Sequence, residues 1–158
     1  MSALTPLIDA YLAGPATLRQ AVAGMSREQL LARPVAGKWS TLEVVCHLAD
    51  FDPILADRMK RVIAEERPQL LGADEKRFAT ALAYQERDLE EELVIIERTR
   101  SQMARILRTL PAEALGRVGV HNERGPLTLE QLLTITARHL PHHVKFIEEK
   151  RKALGLPA

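Results

Sequence analysis

Three of the five histidines in this chain fall within residues 138–143. His139 and His143 are four positions apart, so on a helix their rings share a face at a spacing of about 5–6 Å, and both can reach one metal ion. On a wheel of about 100° per residue, His143 lies about 80° and His139 about 120° from the centre of the apolar stripe, on the same side. His142 lies opposite the stripe. We therefore predict that His139 and His143 are ligand candidates and that His142 faces solvent.

A fourth histidine, His47, lies about 60° from the centre of the apolar stripe of an earlier helix. Helix bundles build metal sites from such positions on facing helices. Three neutral histidines with an open coordination position are typical of a catalytic site, because a structural zinc site normally closes with four ligands. A metal held in this way lowers the pKa of a bound water toward neutrality, or it orients and deprotonates a thiol.

The histidines taken alone leave a second interpretation open. An individual histidine is more often a surface or hydrogen-bonded residue than a ligand, and pairs at this spacing are common by chance. The pair also lacks the Glu that follows the first His in the H-E-x-x-H pattern of metalloproteases. Incidental histidines on a helical scaffold therefore remain an alternative.

The elements that must position these histidines are predicted to be helices. Leu, Ala, Glu and Arg dominate at spacings of three and four, and only 4% of the residues are aromatic. Ser40 with Glu43, and Thr128 with Gln131, form capping boxes that start the two histidine-bearing helices. The prediction is an all-α, four-helix bundle whose main helices span residues 3–25, 40–65, 78–110 and 128–154.

Prolines and short connecting segments modify this arrangement. Pro15 predicts a break or kink in the first helix, and Pro53 and Pro141 predict kinks in the second and the last. The connecting segments are predicted as a short extra helix at residues 26–29, a loop at 67–74, and an irregular stretch at 111–126 with one turn of helix at 112–115.

Composition limits the possible classes of function. The 158 residues, 46% hydrophobic and 27% charged, fit one globular domain spanning residues 1–158. A net charge of +1 without a basic block argues against nucleic-acid binding. Asp9 interrupts the apolar run at the N-terminus, which therefore predicts neither a signal peptide nor a membrane anchor. The single cysteine, Cys46, cannot form an internal disulfide, so we expect a reducing, cytoplasmic compartment.

Several stretches of the sequence resemble one known family. Residues 37–50, GKWSTLEVVCHLAD, are similar to the second-helix signature of the DinB-like superfamily, in which Trp-Ser leads into a helix carrying Glu-x-x-x-His-Leu-x-Asp. Residues 125–129, GPLTL, followed ten residues on by the histidines of residues 139–143, resemble the closing helix of that superfamily. The connecting HNERG of residues 121–125 is also similar. The order and spacing of these motifs match over residues 33–147.

The resemblance implies a four-helix bundle, often dimeric, that holds a divalent metal ion such as zinc, nickel or manganese. Carried over residue by residue, the ligands are His47, His139 and His143. The superfamily includes metal-dependent hydrolases, bacillithiol transferases and mycothiol-dependent isomerases. The resemblance therefore implies a small-molecule substrate, a homodimer and, if the chain is like the thiol-dependent members, a low-molecular-weight thiol. At Arg138 and Lys145 the chain departs from similar sequences, which often carry an acidic residue and a Gln there, so substrate specificity does not transfer.

Other residues near the predicted ligands have candidate roles. Glu43 and Asp50, about one turn either side of His47, are placed to orient its ring as hydrogen-bond acceptors. Arg58 is a candidate for binding an anionic substrate group, and His121 for an acid–base group above the cleft. Simpler alternatives exist, since Glu43 already belongs to a capping box and Arg58 fits a solvated or salt-bridged position. No side chain stands out as a general base.

These observations together predict a divalent-metal-binding protein that acts on a small molecule as a hydrolase or a thiol transferase. Two alternatives stay open: a metal-binding stress-response module without turnover, and a dimerising helical interaction protein with incidental histidines. The hydrolase, the thiol transferase and the metal-binding module all require that the ring of His47 lies close to those of His139 and His143 in the fold.

Overall fold

A computed structural model describes residues 4–157. The helices are α1 (Leu4–Val22), α2 (Arg27–Leu31), α3 (Thr41–Ala64), α4 (Glu75–Ala81), α5 (Leu89–Leu107) and α6 (Leu129–Ala153). The strands are β1 (Gln69–Leu70), β2 (Val118–His121) and β3 (Gly125–Thr128), and 3-10 turns occupy Tyr84–Glu86 and Ala112–Gly116. Ala3, at the predicted start of the first helix, and the two ends of the predicted 1–158 domain lie outside the described residues.

The four long helices form the predicted bundle. α1 packs against α5 and α6, and α3 packs against the same two helices, so α1 and α3 occupy opposite corners. Apolar side chains from all four helices fill the core, among them Ile8, Leu48, Ile96 and Leu140, each no more than 2% exposed. Burying one such side chain stabilises the fold by about 1.5–3 kcal/mol. This packing places α3 and α6, which carry the histidines, side by side. No helix within residues 4–157 has the length and apolar character needed to span a membrane.

Capping boxes fix the starts of the two histidine-bearing helices. Ser40 Oγ accepts the Glu43 backbone N–H at 3.1 Å, and the Glu43 carboxylate accepts the Ser40 N–H at 2.7 Å. Thr128 and Gln131 form the same pair of bonds, at 3.1 and 2.9 Å. Each box satisfies backbone donors that the start of a helix leaves without partners. Both predicted starts are therefore confirmed.

The helices with an internal proline are continuous: α1 with Pro15, α3 with Pro53 and α6 with Pro141. Of the break or kink predicted at Pro15, the break is therefore wrong. Proline has no N–H, so the carbonyl of Tyr11, four residues earlier, lacks its usual helical partner. Arg100 of α5 donates to that carbonyl from Nη1 at 2.7 Å. Gly14 makes room for the guanidinium, because a Cβ at this position would lie 2.7 Å from Nη1.

The prediction of one continuous helix over residues 78–110 is also wrong. α4 ends at Ala81, residues 82–88 leave the helical path, and α5 runs only from Leu89 to Leu107. Within the break, Ala83 adopts a left-handed backbone with φ of 51°. The third long helix of the bundle is consequently shorter than predicted, and α4 is a separate helix that does not have to continue the direction of α5.

Burial and capping explain this break. Tyr84 is buried in a small cluster with Leu42 and Cys46 of α3, whereas Leu82, which the predicted stripe places inside, is 44% exposed. Asp88 then starts α5, its carboxylate accepting the Glu91 N–H at 3.0 Å. An Asp at this position is a strong signal for a helix start. Burial of Tyr84 and the cap at Asp88 therefore stabilise the break more than the regular Leu spacing stabilises one continuous helix.

The segments predicted as a loop at residues 67–74 and as irregular at 111–126 contribute a small three-stranded sheet. β1 pairs parallel with β2, and β2 pairs antiparallel with β3. Strands of two to four residues are too short to show alternation in the sequence. Gly119 allows the close packing of β2, because a Cβ there would lie 2.8 Å from the side chains of Val62 and Leu70. The fold is thus mostly helical, with a minor sheet beside the bundle.

Candidate metal centre

Helices α3 and α6 bring three histidine rings together. The ring centroid of His47 lies 5.2 Å from that of His139 and 4.7 Å from that of His143, and the latter two are 4.8 Å apart. One nitrogen from each ring lies within 4.8 Å of the other two. His142 is exposed, as predicted. The structure thus joins the three residues that the sequence singles out, and metal binding by them remains a prediction.

The nitrogen positions fit a metal ion. The Nε2 atoms of His47 and His139 lie 3.2 Å apart. Two nitrogens that are each about 2.0–2.1 Å from a tetrahedral ion lie about 3.3–3.4 Å from each other, close to the observed distance. The Nδ1 atoms of all three rings, His143 included, are buried and have no hydrogen-bond partner among residues 4–157. Because buried polar atoms are normally paired, the three Nδ1 atoms are exceptions that hydrogen bonds among the described residues do not explain.

Burial holds the three imidazoles in their neutral form at neutral pH. Loss of solvation lowers the pKa of His47 to about 4. It lowers the pKa of His139 and of His143 to about 3, and the neighbouring histidines add to the effect. The rings of Trp39 and Phe51 lie against His47, at centroid distances of 5.3 and 4.5 Å. A neutral imidazole is the form that binds a metal, so these three rings do not have to lose a proton before an ion binds.

The two carboxylates expected to orient His47 have other partners. Glu43 closes its capping box and pairs with Arg33 at 2.6 Å. Asp50 accepts two bonds from Arg87, at 2.8 and 3.0 Å. In the described part of the chain neither carboxylate is hydrogen-bonded to the His47 ring, so the orienting role expected for them is not what the structure shows. Both carboxylates instead tie α3 to neighbouring loops.

A different carboxylate, which the sequence analysis missed, lies at the cluster. Glu75 is the first residue of α4, and its Oε2 is 4.0 Å from His47 Nε2. Asp74 caps this helix by accepting the N–H groups of Lys76 and Arg77 at 3.0 and 3.2 Å. The Asp-Glu pair was therefore a readable signal for a helix start. Only the break in the predicted third helix, however, lets α4 approach α3.

One side of the cluster opens into a cleft of about 220 Å³, called here the first cleft. His47 and His139 line one part of it. Arg58 of α3, His121 at the end of β2 and Arg124 of the β2–β3 turn line another. The structure thus places His121 in the wall of a cleft beside the predicted ligands, where the sequence analysis expected it.

A second cleft of about 300 Å³ meets the cluster at His143. Trp39, Lys76 and Lys150 contribute to its wall. Glu75 lines both clefts. The three imidazoles therefore lie between two openings, with one carboxylate reachable from either.

Cys46, next to His47 in sequence, takes no part in the cluster. Its buried thiol points toward the backbone carbonyl of Tyr84, at 3.5 Å. Burial raises the pKa of this thiol to about 12, so it stays protonated and is a poor ligand. Among residues 4–157, the candidate ligand group therefore consists of the three histidines without Cys46.

Four long helices with three histidines meeting between two of them define this protein as a helical bundle with a candidate metal centre. The chain belongs to the DinB superfamily, whose sequence pattern matches residues 10–147. The resemblance seen in the sequence motifs is thereby confirmed.

Named relatives and a solved structure agree with this assignment. A "putative metal-dependent hydrolase" of Oceanobacillus iheyensis is 31% identical over 140 residues, which cover 87% of this chain and 81% of the relative. The "putative metal-dependent hydrolase YfiT" of Bacillus subtilis is 30% identical over 142 residues, covering 89% and 80%. A solved structure of YfiT, described as having "an unusual four-helix bundle topology", matches with a TM-score of 0.92 at 28% identity, covering 99% of this chain and 91% of the other.

Proposed function

We propose that this chain is a metal-dependent hydrolase of a small molecule, with one divalent ion held by His47, His139 and His143. The observation that carries the proposal is the convergence of three neutral imidazoles, His47 buried and His139 and His143 half-buried, from two helices beside an open cleft. The names of the relatives support the same class of activity. Imidazole ligands suit zinc and nickel, and manganese is the third candidate.

The residues of the chain divide the chemistry between them. When bound, the ion supplies Lewis acidity and makes water a nucleophile near neutral pH. Glu75 Oε2, 4.0 Å from His47 Nε2, is placed to accept the proton of the attacking nucleophile. Trp39 and Phe51 cover the His47 ring and restrict the entry of further water. Because less water enters, the local dielectric constant is lower, and this strengthens the electrostatic interactions of the charged groups at the site.

A thiol transferase is the second candidate function, and the two clefts favour it. A transfer reaction must hold two reactants at one centre, here a low-molecular-weight thiol and an acceptor. The first cleft reaches the cluster at His47 and His139, and the second reaches it at His143. Hydrolysis needs room for only one organic ligand, so the second cleft would then be left for solvent or product.

Metal content tests the centre itself. We expect purified, untagged protein to hold about one divalent ion per chain by elemental analysis, and His143→Ala to lose it. His142→Ala is the matched control, because His142 neighbours His143 but is exposed. We expect this control to keep the ion. Full metal content in His143→Ala would exclude His143 as a required ligand and overturn the proposed site.

Turnover tests the activity. The metal-loaded protein is to be assayed for ester hydrolysis, amide hydrolysis and thiol conjugation with zinc, nickel or manganese. Glu75→Gln should lower kcat by about 100-fold, the lower range for loss of an acid–base group, while metal content stays unchanged. Activity in the thiol assay alone would favour the transferase. Absence of turnover in every assay would favour a metal-binding module.

A further inference from the structure

The first cleft contains an arginine, Arg58, that forms no direct ion pair with a carboxylate within residues 4–157. Arg58 of α3 is partly buried, and its Nη2 donates to the backbone carbonyl of Leu71 at 2.6 Å. Its Nε is buried and has no hydrogen-bond partner within residues 4–157. The surface ion pair considered from the sequence is therefore not formed with any described residue. The backbone carbonyl of Leu71 anchors one edge of the guanidinium, and the buried Nε makes no hydrogen bond to the described residues.

A second arginine lies close to the first. Arg124, in the turn between β2 and β3, lines the same cleft and forms no ion pair in the described part of the chain. Burial, followed by the charge of Arg124, lowers the pKa of Arg58, while Glu123 and Asp57 offset part of the effect. Glu123 also lines the cleft, with its carboxyl group packed against Gly72. The cleft thus holds two arginine side chains, Arg58 half-buried and Arg124 exposed, and like charges in one cleft favour the binding of an anion between them.

A neutral donor, His121, completes the group. Its Nδ1 accepts the backbone N–H groups of Glu123 at 3.1 Å and Arg124 at 3.3 Å. An imidazole nitrogen that accepts two bonds carries no proton, so in the neutral ring the proton is on Nε2. The turn that presents Arg124 thus also fixes the ring and the tautomer of His121. Both side chains are held by one short, hydrogen-bonded turn.

We propose that Arg58, Arg124 and His121 form a subsite for an oxyanion, the carboxylate or phosphate group of a small substrate. Arginine matches such groups because its fork of N–H donors fits two oxygens at once. The cleft volume of about 220 Å³ corresponds to about seven water molecules, so the ligand is small. With its anionic group at the arginines, such a ligand reaches His47 and His139 along the same cleft. This orientation rests on the proposed function, whereas anion binding itself does not.

Calorimetric titration of the metal-free protein tests the subsite without turnover. The probes are inorganic phosphate and succinate, each titrated at low ionic strength. We expect Arg58→Gln to weaken binding at least tenfold and Arg124→Gln severalfold, because both remove donors and positive charge. Arg98→Gln is the matched control, because Arg98 is exposed on α5 and lies outside both clefts, and it should bind as the parent does. The tighter of the two probes identifies the anionic group that the subsite prefers.

The possible outcomes separate this inference from the proposed function. The subsite is overturned if neither phosphate nor succinate binds the parent protein. It is also overturned if Arg58→Gln and Arg124→Gln both bind the probes as tightly as the parent does. Should Arg58→Gln not fold by circular dichroism, Arg124→Gln decides alone, because its side chain is on an exposed turn. Both arginine variants should keep their metal. His143→Ala should keep anion binding, so loss of the metal site and loss of the anion subsite are seen in different variants.

Discussion

Two polar clusters each include one residue of α3, Asp52 in the first and His47 in the second, and they differ in how their hydrogen bonds are used. Asp52 and Arg100 are both completely buried, with Arg100 Nη2 2.8 Å from Asp52 Oδ1. Arg100 also donates to the backbone carbonyls of Tyr11 at 2.7 Å and Thr136 at 3.0 Å. This one side chain therefore links α5 to α1, α3 and α6. All three guanidinium nitrogens have an acceptor.

The histidine cluster, whose His47 lies five residues before Asp52 on α3, does not have a complete set of hydrogen bonds. Nδ1 of His47, His139 and His143 has no partner within residues 4–157. Asp52 and Arg100 are fully buried, and the Nδ1 atoms of the three histidines are buried as well, where an unpaired polar atom is unfavourable. The hydrogen bonds of the paired cluster hold four helices together, whereas those of the histidine rings contribute no such link through Nδ1. The difference is what we expect if the first cluster is structural and the second is the proposed metal site.

The largest expected effect is on the paired cluster. Replacing Arg100 with Met leaves the Asp52 carboxylate buried without its counter-charge, so the free energy of unfolding should fall by about 3–5 kcal/mol. Chemical denaturation followed by circular dichroism measures this. Arg98→Met, at an exposed position on the same helix, should change it by less than about 0.5 kcal/mol. A loss below 1 kcal/mol in Arg100→Met would contradict the structural role.

A smaller effect is expected when the metal-free protein is acidified. The folded-state pKa of His143 is lowered to about 3, below the unfolded value near 6.5. Between these values the unfolded chain binds a proton that the folded chain does not, so stability present above pH 6.5 is lost as the pH falls. At pH 5 one such histidine contributes up to about 2 kcal/mol to this loss, less where solvent reaches the ring.

Two histidine variants measure the contribution of His143 to this loss of stability at low pH. His143→Gln should lose less stability than the parent between pH 7 and pH 5, by up to about 2 kcal/mol, in denaturation experiments at both values. The exposed His142 gives the control, and His142→Gln should follow the parent. Identical pH dependence in the parent and His143→Gln would show that burial does not hold this ring neutral.

The smallest effect is expected at neutral pH in the absence of metal. His143→Ala removes ring contacts but also a buried nitrogen without a partner, so the free energy of unfolding should change by less than about 1 kcal/mol. Leu140→Ala, at a fully buried position of the same helix, should lose about 2–5 kcal/mol. Thermal and chemical denaturation would compare the two. A large loss in His143→Ala would mean that the cluster is structural, like Asp52 with Arg100.

Local sequence signals predicted much of this fold. The capping boxes at Ser40 and Thr128 fixed the starts of the two helices that carry the site. The four-residue spacing of His139 and His143 predicted that their rings share a face, and the structure places them 4.8 Å apart. These features are readable because all the interacting groups lie within four residues of one another.

Signals that depend on distant residues were missed. The break around Ala83 follows from burial of Tyr84 against α3, and the pairing of β1 with β2 joins residues about 50 positions apart, such as Leu70 with His121. Glu75 reaches His47 only because that break frees α4. None of these contacts has a local pattern, since each is stabilised by packing against a remote element.

The chain by itself determined its helical class, its family and three imidazoles on the inward shoulders of two helices. That much follows from periodicity and motif, both of which are local. Only the tertiary structure decided that Arg100 satisfies the carbonyl freed by Pro15, and that Glu75 and the pair Arg58 and Arg124 lie beside the histidines. Those groups meet through packing of elements distant in sequence, and close packing, unlike periodicity, exists only once the whole core has formed.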